Sequence, residues 1–336
     1  MGALVSGDIS NEDKFRVLES VLRPLSYWYS QEGVEEVAIN HAGGVWVRKR
    51  GKFAYPWHYY EDPALSRSYL KNLLYIIANS YDKDFNPEGG TPVVYVDLPG
   101  GHRFTGIMGQ NVQYDSSDEL AGGGVAMTIR VFKEDLSIGF SDFGFDKGAR
   151  LRPLNKLTGV EDPDDPYERL LLSIKRGDHL LISGATATGK TTFLNNIIKI
   201  LDPHKRILTI EDTRELIVPH KNRVHVVISR TKATNNFDYR GVIDLAVRFT
   251  PDAIIGGEIS TSNANALWEL MGTGHENCFA TIHAESPEAA YKAFIGRILY
   301  TSPTIDREKT LKEMKEKLRV VQINRNGNIR AVTAVT

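Results

Sequence analysis

Residues 184–191 read Gly-Ala-Thr-Ala-Thr-Gly-Lys-Thr and match the pattern G-x4-G-K-[ST]. The segment follows a short apolar run and precedes a stretch with helical periodicity, which is the context that a phosphate-binding loop requires. The backbone N–H groups and the positive helix end would hold nucleotide phosphates, Lys190 would reach the β- and γ-phosphates, and Thr191 would ligate Mg²⁺. The predicted nucleotide-binding residues are Gly184, Ala185, Thr186, Ala187, Thr188, Gly189, Lys190, Thr191 and Thr192.

A carboxylate that could position or activate water follows another apolar run. Residues 252–258 read Asp-Ala-Ile-Ile-Gly-Gly-Glu, and the carboxyl ends of parallel strands face the ligand crevice. Hydrolysis needs such a group in addition to the phosphate loop. We therefore predict that Glu258 is catalytic. Gly257 stands where many P-loop enzymes have a Mg²⁺-binding aspartate, so another carboxylate must help to hold the metal.

Three acids lie close together in residues 210–215, which read Ile-Glu-Asp-Thr-Arg-Glu. Carboxylates at the end of one strand can face a metal held at the end of a neighbouring strand. We predict Asp212 as the metal ligand and Glu211 and Glu215 as catalytic groups. The sequence leaves open which of the three points inward.

Two histidines, His275 and His283, lie eight residues apart on either side of an apolar segment. An imidazole can hydrogen-bond a γ-phosphate or a polarised water. The spacing and the lack of a third ligand do not indicate a zinc site. We predict that one of them senses the nucleotide, with His275 assigned to binding and His283 to catalysis.

The elements that must position these groups fall into two predicted domains. Residues 161–166 contain four acids and two prolines, which excludes a buried helix or a central strand there. We predict an N-terminal α+β domain at 1–147, a linker at 148–166 and a second domain at 167–336. The first should contain an antiparallel sheet with helices on one face, and the second a parallel sheet covered on both faces.

Composition narrows the function classes. The 336 residues carry 41 Lys and Arg against 42 Asp and Glu, a balance that argues against disorder and against a protein that coats nucleic acid. The one cysteine, Cys278, excludes an intrachain disulfide and a multi-cysteine zinc module, and it favours a reducing, cytosolic compartment. No stretch approaches the ~20 apolar residues that cross a bilayer, so we expect a soluble protein.

The motifs in this order resemble the traffic ATPases of secretion and pilus systems. The resemblance comprises the phosphate loop, the acidic box at 210–215, the Gly-Glu box at 257–258 and a histidine box at 273–284. Upstream, residues 36–40 and 44–48 are similar to the N-terminal domain of the VirB-eleven branch. The match therefore extends over most of the chain.

This resemblance implies a RecA-like P-loop motor domain that uses ATP and Mg²⁺ to power substrate transfer or pilus biogenesis by a bacterial type IV secretion system of the conjugation type. It implies a homo-hexameric ring on the cytoplasmic face of the inner membrane, in peripheral contact with it. Other inner-membrane secretion ATPases and a coupling protein would be its neighbours. Family arginines that approach the γ-phosphate match Arg103 and Arg130, which are therefore expected to be catalytic.

Some positions depart from the family pattern, and two alternative functions remain open. Thr250 and Ser260 stand where the family commonly has arginines. These losses leave room for an ATP-gated scaffold with little turnover. A nucleic-acid-translocating ring ATPase is the other alternative, but residues 48–52 form the only short basic cluster, so direct DNA binding is not expected.

Overall fold

A computed structural model describes residues 11–49, 57–114, 123–132, 161–228, 237–326 and 329–336. The chain divides into two compact units, residues 1–132 with 231–237, and residues 133–230 with 238–336. The described elements of the first unit are α1 (Asn11–Tyr29), β1 (Val34–Ile39), β2 (Gly44–Lys49), β3 (Trp57–Glu61), α2 (Arg67–Ser80), β4 (Val93–Leu98), β5 (His102–Gly109), β6 (Val112–Gln113) and β7 (Gly124–Arg130).

The first unit is built on an antiparallel sheet with the strand order β3-β2-β1-β7-β5-β4. Apolar residues alternate along the strands, so one face packs against α1 and α2. Helix α2 presents its apolar residues at helical spacing, and its first turn is capped by the Ser66 hydroxyl, which accepts a hydrogen bond from the Tyr69 N–H. The predicted antiparallel sheet with helices on one face is confirmed.

The described elements of the second unit alternate between strands and helices. They are α3 (Pro166–Arg176), β8 (His179–Ser183), α4 (Lys190–Ile200), β9 (Ile207–Glu211), β10 (Arg223–Val227), α5 (Tyr239–Phe249), β11 (Ala253–Glu258), α6 (Ala264–Gly272), β12 (Cys278–Ile282), α7 (Pro287–Thr301), α8 (Arg307–Lys317), β13 (Leu318–Asn326) and β14 (Ile329–Val335).

The strands of the second unit lie in the order β14-β13-β8-β12-β11-β9-β10. All neighbours are parallel except β13 and β14, which form an antiparallel hairpin. Strands β8, β9 and β12 are buried along their whole length, as expected for a sheet covered on both faces. The carboxyl ends of β8, β9, β11 and β12 consequently meet at one edge. This is the predicted α/β fold with a parallel sheet.

Most of the predicted linker at 148–166 lies outside the described residues. The described part, 161–166, leads into α3, where Asp165 caps the helix and Pro166 occupies its first turn. Asp162 accepts a hydrogen bond from Arg176 at 2.5 Å and lies 3.1 Å from Arg319, and these arginines help to lower the pKa of Asp162 although burial opposes them. The predicted domain boundaries stay a prediction. None of the described helices is both long and apolar enough to span a membrane.

Candidate nucleotide site

The phosphate loop connects the buried strand β8 to α4 and has two residues in the left-handed region, Ala187 at φ +61° and Gly189 at φ +89°. Left-handed residues turn successive N–H groups toward one side, which forms an anion-binding concavity. At Gly184, a Cβ would lie 2.5 Å from the Ile323 carbonyl oxygen and 2.7 Å from the Thr188 hydroxyl, so only glycine fits. The loop therefore has the backbone geometry of a phosphate site.

Lys190 is buried at the start of α4, and its ammonium group lies inside the loop. The Nζ atom donates to the carbonyl oxygens of Gly184 at 3.0 Å and Ala185 at 2.9 Å. Burial lowers the pKa of Lys190, and the nearby charge of Glu258 acts in the opposite direction. The fold thus holds a cation at the mouth of the loop, with hydrogen bonds that keep it in place.

Glu258 ends β11 and belongs to a loop that is held by a neighbouring amide. Asn263 Nδ2 donates to the Glu258 carbonyl at 2.7 Å, and Asn263 Oδ1 accepts the Ser260 N–H at 2.7 Å. Arg297 donates to the Ile259 carbonyl at 2.6 Å. These hydrogen bonds fix the backbone at Glu258. The Glu258 side chain is 48% exposed, so its carboxylate remains accessible.

His283 connects Lys190 to Glu258. Its Nδ1 atom lies 3.0 Å from Lys190 Nζ, and its Nε2 atom lies 3.4 Å from Glu258 Oε1. Because an ammonium group can only donate, Nδ1 is the acceptor, and this assigns the proton of a neutral imidazole to Nε2, facing Glu258. The histidine follows β12, which lies next to β8 and β11. The predicted site residues Lys190, His283 and Glu258 are therefore adjacent in space.

Glu211, predicted as catalytic, is buried, and both of its carboxylate oxygens accept hydrogen bonds from nearby residues. Its Oε1 accepts the N–H groups of Glu215 and Leu216, both at 2.7 Å. Its Oε2 accepts from Arg214 at 3.1 Å and from the Thr209 hydroxyl at 3.2 Å. The Glu211 carboxylate thus holds the loop after β9, and its predicted catalytic role stays a prediction.

The other two acids of this loop differ from Glu211 in their surroundings. Asp212 is half-buried and accepts a hydrogen bond from the Tyr239 hydroxyl. The Glu215 side chain is exposed, and its backbone carbonyl accepts from Asn195 of α4 at 3.3 Å. Among the described residues, no three His, Cys, Asp or Glu side chains converge on one metal position.

His275 lies at the other edge of the sheet. It precedes β12 whereas His283 follows it, and the five residues of this strand span ~17 Å. The imidazole of His275 is hydrogen-bonded to the Pro251 backbone, and burial lowers its pKa. The structure thus does not bring His275 to the phosphate loop of its own unit.

Arg103 and Arg130 are directly opposite each other on β5 and β7, on the sheet face away from α1 and α2, and both are exposed. Asp97 is opposite Arg103 on the outer side, and Glu36 is opposite Arg130 on the inner side. Glu36 accepts from the Thr128 hydroxyl at 2.9 Å and lies 4.0 Å from Arg48. Within the described ranges, neither Arg103 nor Arg130 forms an ion pair. Residues 50–52 of the basic cluster lie outside these ranges.

Three residues that hold the site together were not predicted from the sequence. Arg297 reaches the Ile259 carbonyl across 38 positions of the chain, whereas Arg214 and Asn263 act within their own loops. The hairpin of β13 and β14 had a usable signal, because Asn326 and Gly327 form the dipeptide typical of tight hairpin turns. Arg325 and Arg330 flank that turn.

Comparisons with known proteins agree with the motifs. Residues 145–294 match the family model of the type II/IV secretion system proteins. The chain is 29% identical over 289 residues to the type IV secretion system protein PtlH of Bordetella pertussis, covering 80% of this chain and 78% of that protein. It is 28% identical over 292 residues to protein VirB11 of Agrobacterium tumefaciens, covering 82% and 79%.

The crystal structure of the VirB11 ATPase from the Brucella suis type IV secretion system, in complex with sulphate, has the same fold. The two superpose with a TM-score of 0.79, at 22% sequence identity, over 95% of this chain and 97% of that one.

Proposed function

We propose, from the premise that this chain is a VirB11-like traffic ATPase of type IV secretion systems, that it hydrolyses Mg²⁺-ATP at the loop of residues 184–191 to drive secretion. The observation that carries the proposal is the chain of contacts from Lys190 through His283 to Glu258. It joins the group that binds phosphate to the group that handles water. A phosphate loop that only bound nucleotide would not need the contact between His283 and Glu258.

Each residue then has a separate task. The loop N–H groups and Lys190 bind the β- and γ-phosphates, and the Thr191 hydroxyl holds Mg²⁺, with Asp212 as the candidate second ligand. When bound, Mg²⁺ neutralises the charge that develops on the phosphate oxygens. Glu258 orients the attacking water and accepts its proton. His283 keeps the Glu258 carboxylate in place by donating its Nε2–H.

Arg103 and Arg130 are proposed to act on the γ-phosphate, as the resemblance implies. Like charges directly opposite each other in a sheet are destabilising, and these two are exposed without an ion pair in the described residues. Although Asp97 and Glu36 lie opposite them on the neighbouring strands, neither arginine forms an ion pair in the described residues, so both guanidinium groups are available to an anionic ligand. We further propose a homo-hexamer on the cytoplasmic face of the inner membrane that works with other secretion ATPases and a coupling protein, because the relatives are components of type IV secretion systems.

The experiment that tests this function measures Mg²⁺-ATP binding and hydrolysis by the full chain, its Lys190→Ala variant and the control Lys199→Ala. Lys199 is an exposed lysine on the same helix, so it matches the charge and the helical context. We expect Lys190→Ala to lose ATP binding and turnover while it remains folded, and Lys199→Ala to keep both. Normal turnover by Lys190→Ala contradicts the assignment.

The ring is tested by the turnover per subunit as the protein concentration rises. An assembled ring gives a rate that climbs with concentration and collapses in Arg103→Ala, but not in the control Arg23→Ala on the exposed side of α1. A flat and negligible rate with intact ATP binding would support the scaffold alternative instead.

A further inference from the structure

The hairpin of β13 and β14 lies against the phosphate loop of the same unit. The Ile323 carbonyl oxygen occupies the space where a Cβ of Gly184 would be. Arg325 Nη1 donates a hydrogen bond to the Ala187 carbonyl oxygen at 3.5 Å. The Arg330 side chain packs against the backbone of Gly189. A Cβ at position 189 would lie 3.2 Å from Arg330 Nη1 and 3.6 Å from Arg330 Cδ. Two guanidinium groups therefore border the loop.

The two arginines are directly opposite each other in the hairpin, and both are exposed. The described residues of β13 and β14 include no acid. Arg330 forms no hydrogen bond or ion pair with the described residues. Like charges directly opposite each other destabilise a hairpin. The hairpin therefore places the positive charge of Arg330 beside an anion-binding loop.

We propose that Arg330, with Arg325 beside it, binds the phosphates of the nucleotide held by the loop of the same chain. This assignment rests on the proposed ATPase function and adds cations to it that Lys190, Arg103 and Arg130 do not supply. A guanidinium group donates in a planar fork that matches phosphate oxygens and stays charged at every physiological pH. Its position at Gly189, directly before Lys190, brings it to the segment that would hold the phosphates.

The identity of residue 189 supports this arrangement independently of charge. Gly189 has φ +89°, which side-chain-bearing residues rarely adopt, and its missing Cβ leaves the space along which the Arg330 side chain runs. The phosphate loop and the hairpin thus pack against each other at Gly189 and Arg330, where we propose the contact with phosphate.

The test measures dissociation constants of Mg²⁺-ADP and of inorganic tripolyphosphate for the full chain and its variants by titration calorimetry. We expect Arg330→Ala to weaken both by about 10-fold, and Arg325→Ala with Arg330→Ala by about 30-fold, since charge-assisted hydrogen bonds are lost. Arg330→Lys keeps the charge but loses the planar fork, so both affinities should lie between those of Arg330→Ala and the unaltered chain. Arg307→Ala, an exposed arginine on α8, is the matched control and should change neither constant.

Ionic strength separates a phosphate contact from a structural one. The affinity of the unaltered chain for ADP should fall with salt more steeply than that of Arg330→Ala, because one screened charge pair is missing in the variant. Thermal melting verifies that each variant is folded.

Two results overturn the assignment. One is an unchanged affinity of Arg330→Ala in a chain that binds ADP and loses it in Lys190→Ala. The other is weaker ADP binding with unchanged tripolyphosphate binding, which would place the contact at the base or ribose. Failure of the unaltered chain to bind ADP would contradict the proposed function, and this assignment with it.

Discussion

Glu211 and Glu258 end neighbouring parallel strands, β9 and β11, yet the structure uses them in opposite ways. Glu211 is 2% exposed and accepts four hydrogen bonds, three from its own loop and one from the Thr209 hydroxyl of β9. Glu258 has a side chain that is 48% exposed, and its one described partner is His283 at 3.4 Å. A carboxylate whose acceptor positions are occupied can order a loop, whereas one with free acceptor positions can take a proton from water.

The packing of Gly257 against Glu211 shows why an aspartate would be unfavourable at position 257. A Cβ at position 257 would lie 3.4 Å from Glu211 Cγ, which is ordinary contact distance. An aspartate there would bring a second carboxylate close to the buried one, and like charges in a buried environment repel strongly. The absence of the usual aspartate at 257 and the burial of Glu211 are therefore linked.

The largest expected effect that follows from this comparison is on turnover. Glu258→Gln removes the group that we propose as the proton acceptor, so kcat should fall by about 10²-fold or more, with ATP still bound and with little change in unfolding temperature. Single-turnover kinetics and calorimetric binding measure both. Glu269→Gln, an exposed acid on α6, serves as the control. A kcat within about threefold of the original would remove Glu258 from the mechanism.

The second effect is on stability and concerns Glu211→Gln. The amide keeps one acceptor oxygen but places an NH2 group against donors, which should lower the free energy of unfolding by about 2–3 kcal/mol. Denaturant unfolding provides the value, and kcat per folded chain should fall less than in Glu258→Gln. The comparison breaks if Glu211→Gln has unchanged stability but abolishes turnover.

The smallest expected effect is on the pH dependence of stability and concerns His179. Like Glu211, this buried side chain has a hydrogen-bond partner at each of its polar atoms. His179 Nε2 donates to the Met271 carbonyl at 3.0 Å and Nδ1 accepts the Cys278 N–H at 3.3 Å, so the folded state requires the neutral ring. Burial lowers the pKa of His179 below its ordinary value of 6.5. Above that value, neither state binds the proton. Below it, the unfolded chain is protonated first, and stability declines until the pH reaches the lowered pKa of the folded state.

We therefore expect the free energy of unfolding to decrease as the pH falls below 6.5, as measured by denaturant unfolding at a series of pH values. His179→Gln should show a shallower pH dependence than the unaltered chain, whatever its stability at pH 7.5. Equal slopes in the two proteins would show that His179 is not a source of the acid sensitivity.

Local sequence patterns predicted most of the helices and strands, but they predicted only some of the contacts in the candidate site. Alternation and helical spacing were enough for β1, β7 and α2, since burial of one face is written into the residue order. The three acids at 211–215 could not be ranked, because the choice depends on loop donors that a strand pattern does not reveal. His275 and His283 have similar sequence contexts, and only the direction of β12 separates them.

The sequence by itself determined the phosphate loop, the Gly-Glu pair and the alternation of strands and helices, because each depends on residue types at short fixed spacings. The tertiary structure decided that His283 reaches Lys190 across 93 positions of the chain and that Arg330 reaches Gly189. These contacts arise because parallel strands bring their carboxyl ends to one edge and because β13 packs beside β8. Strand order of this kind results from packing the whole domain, and no local spacing encodes it.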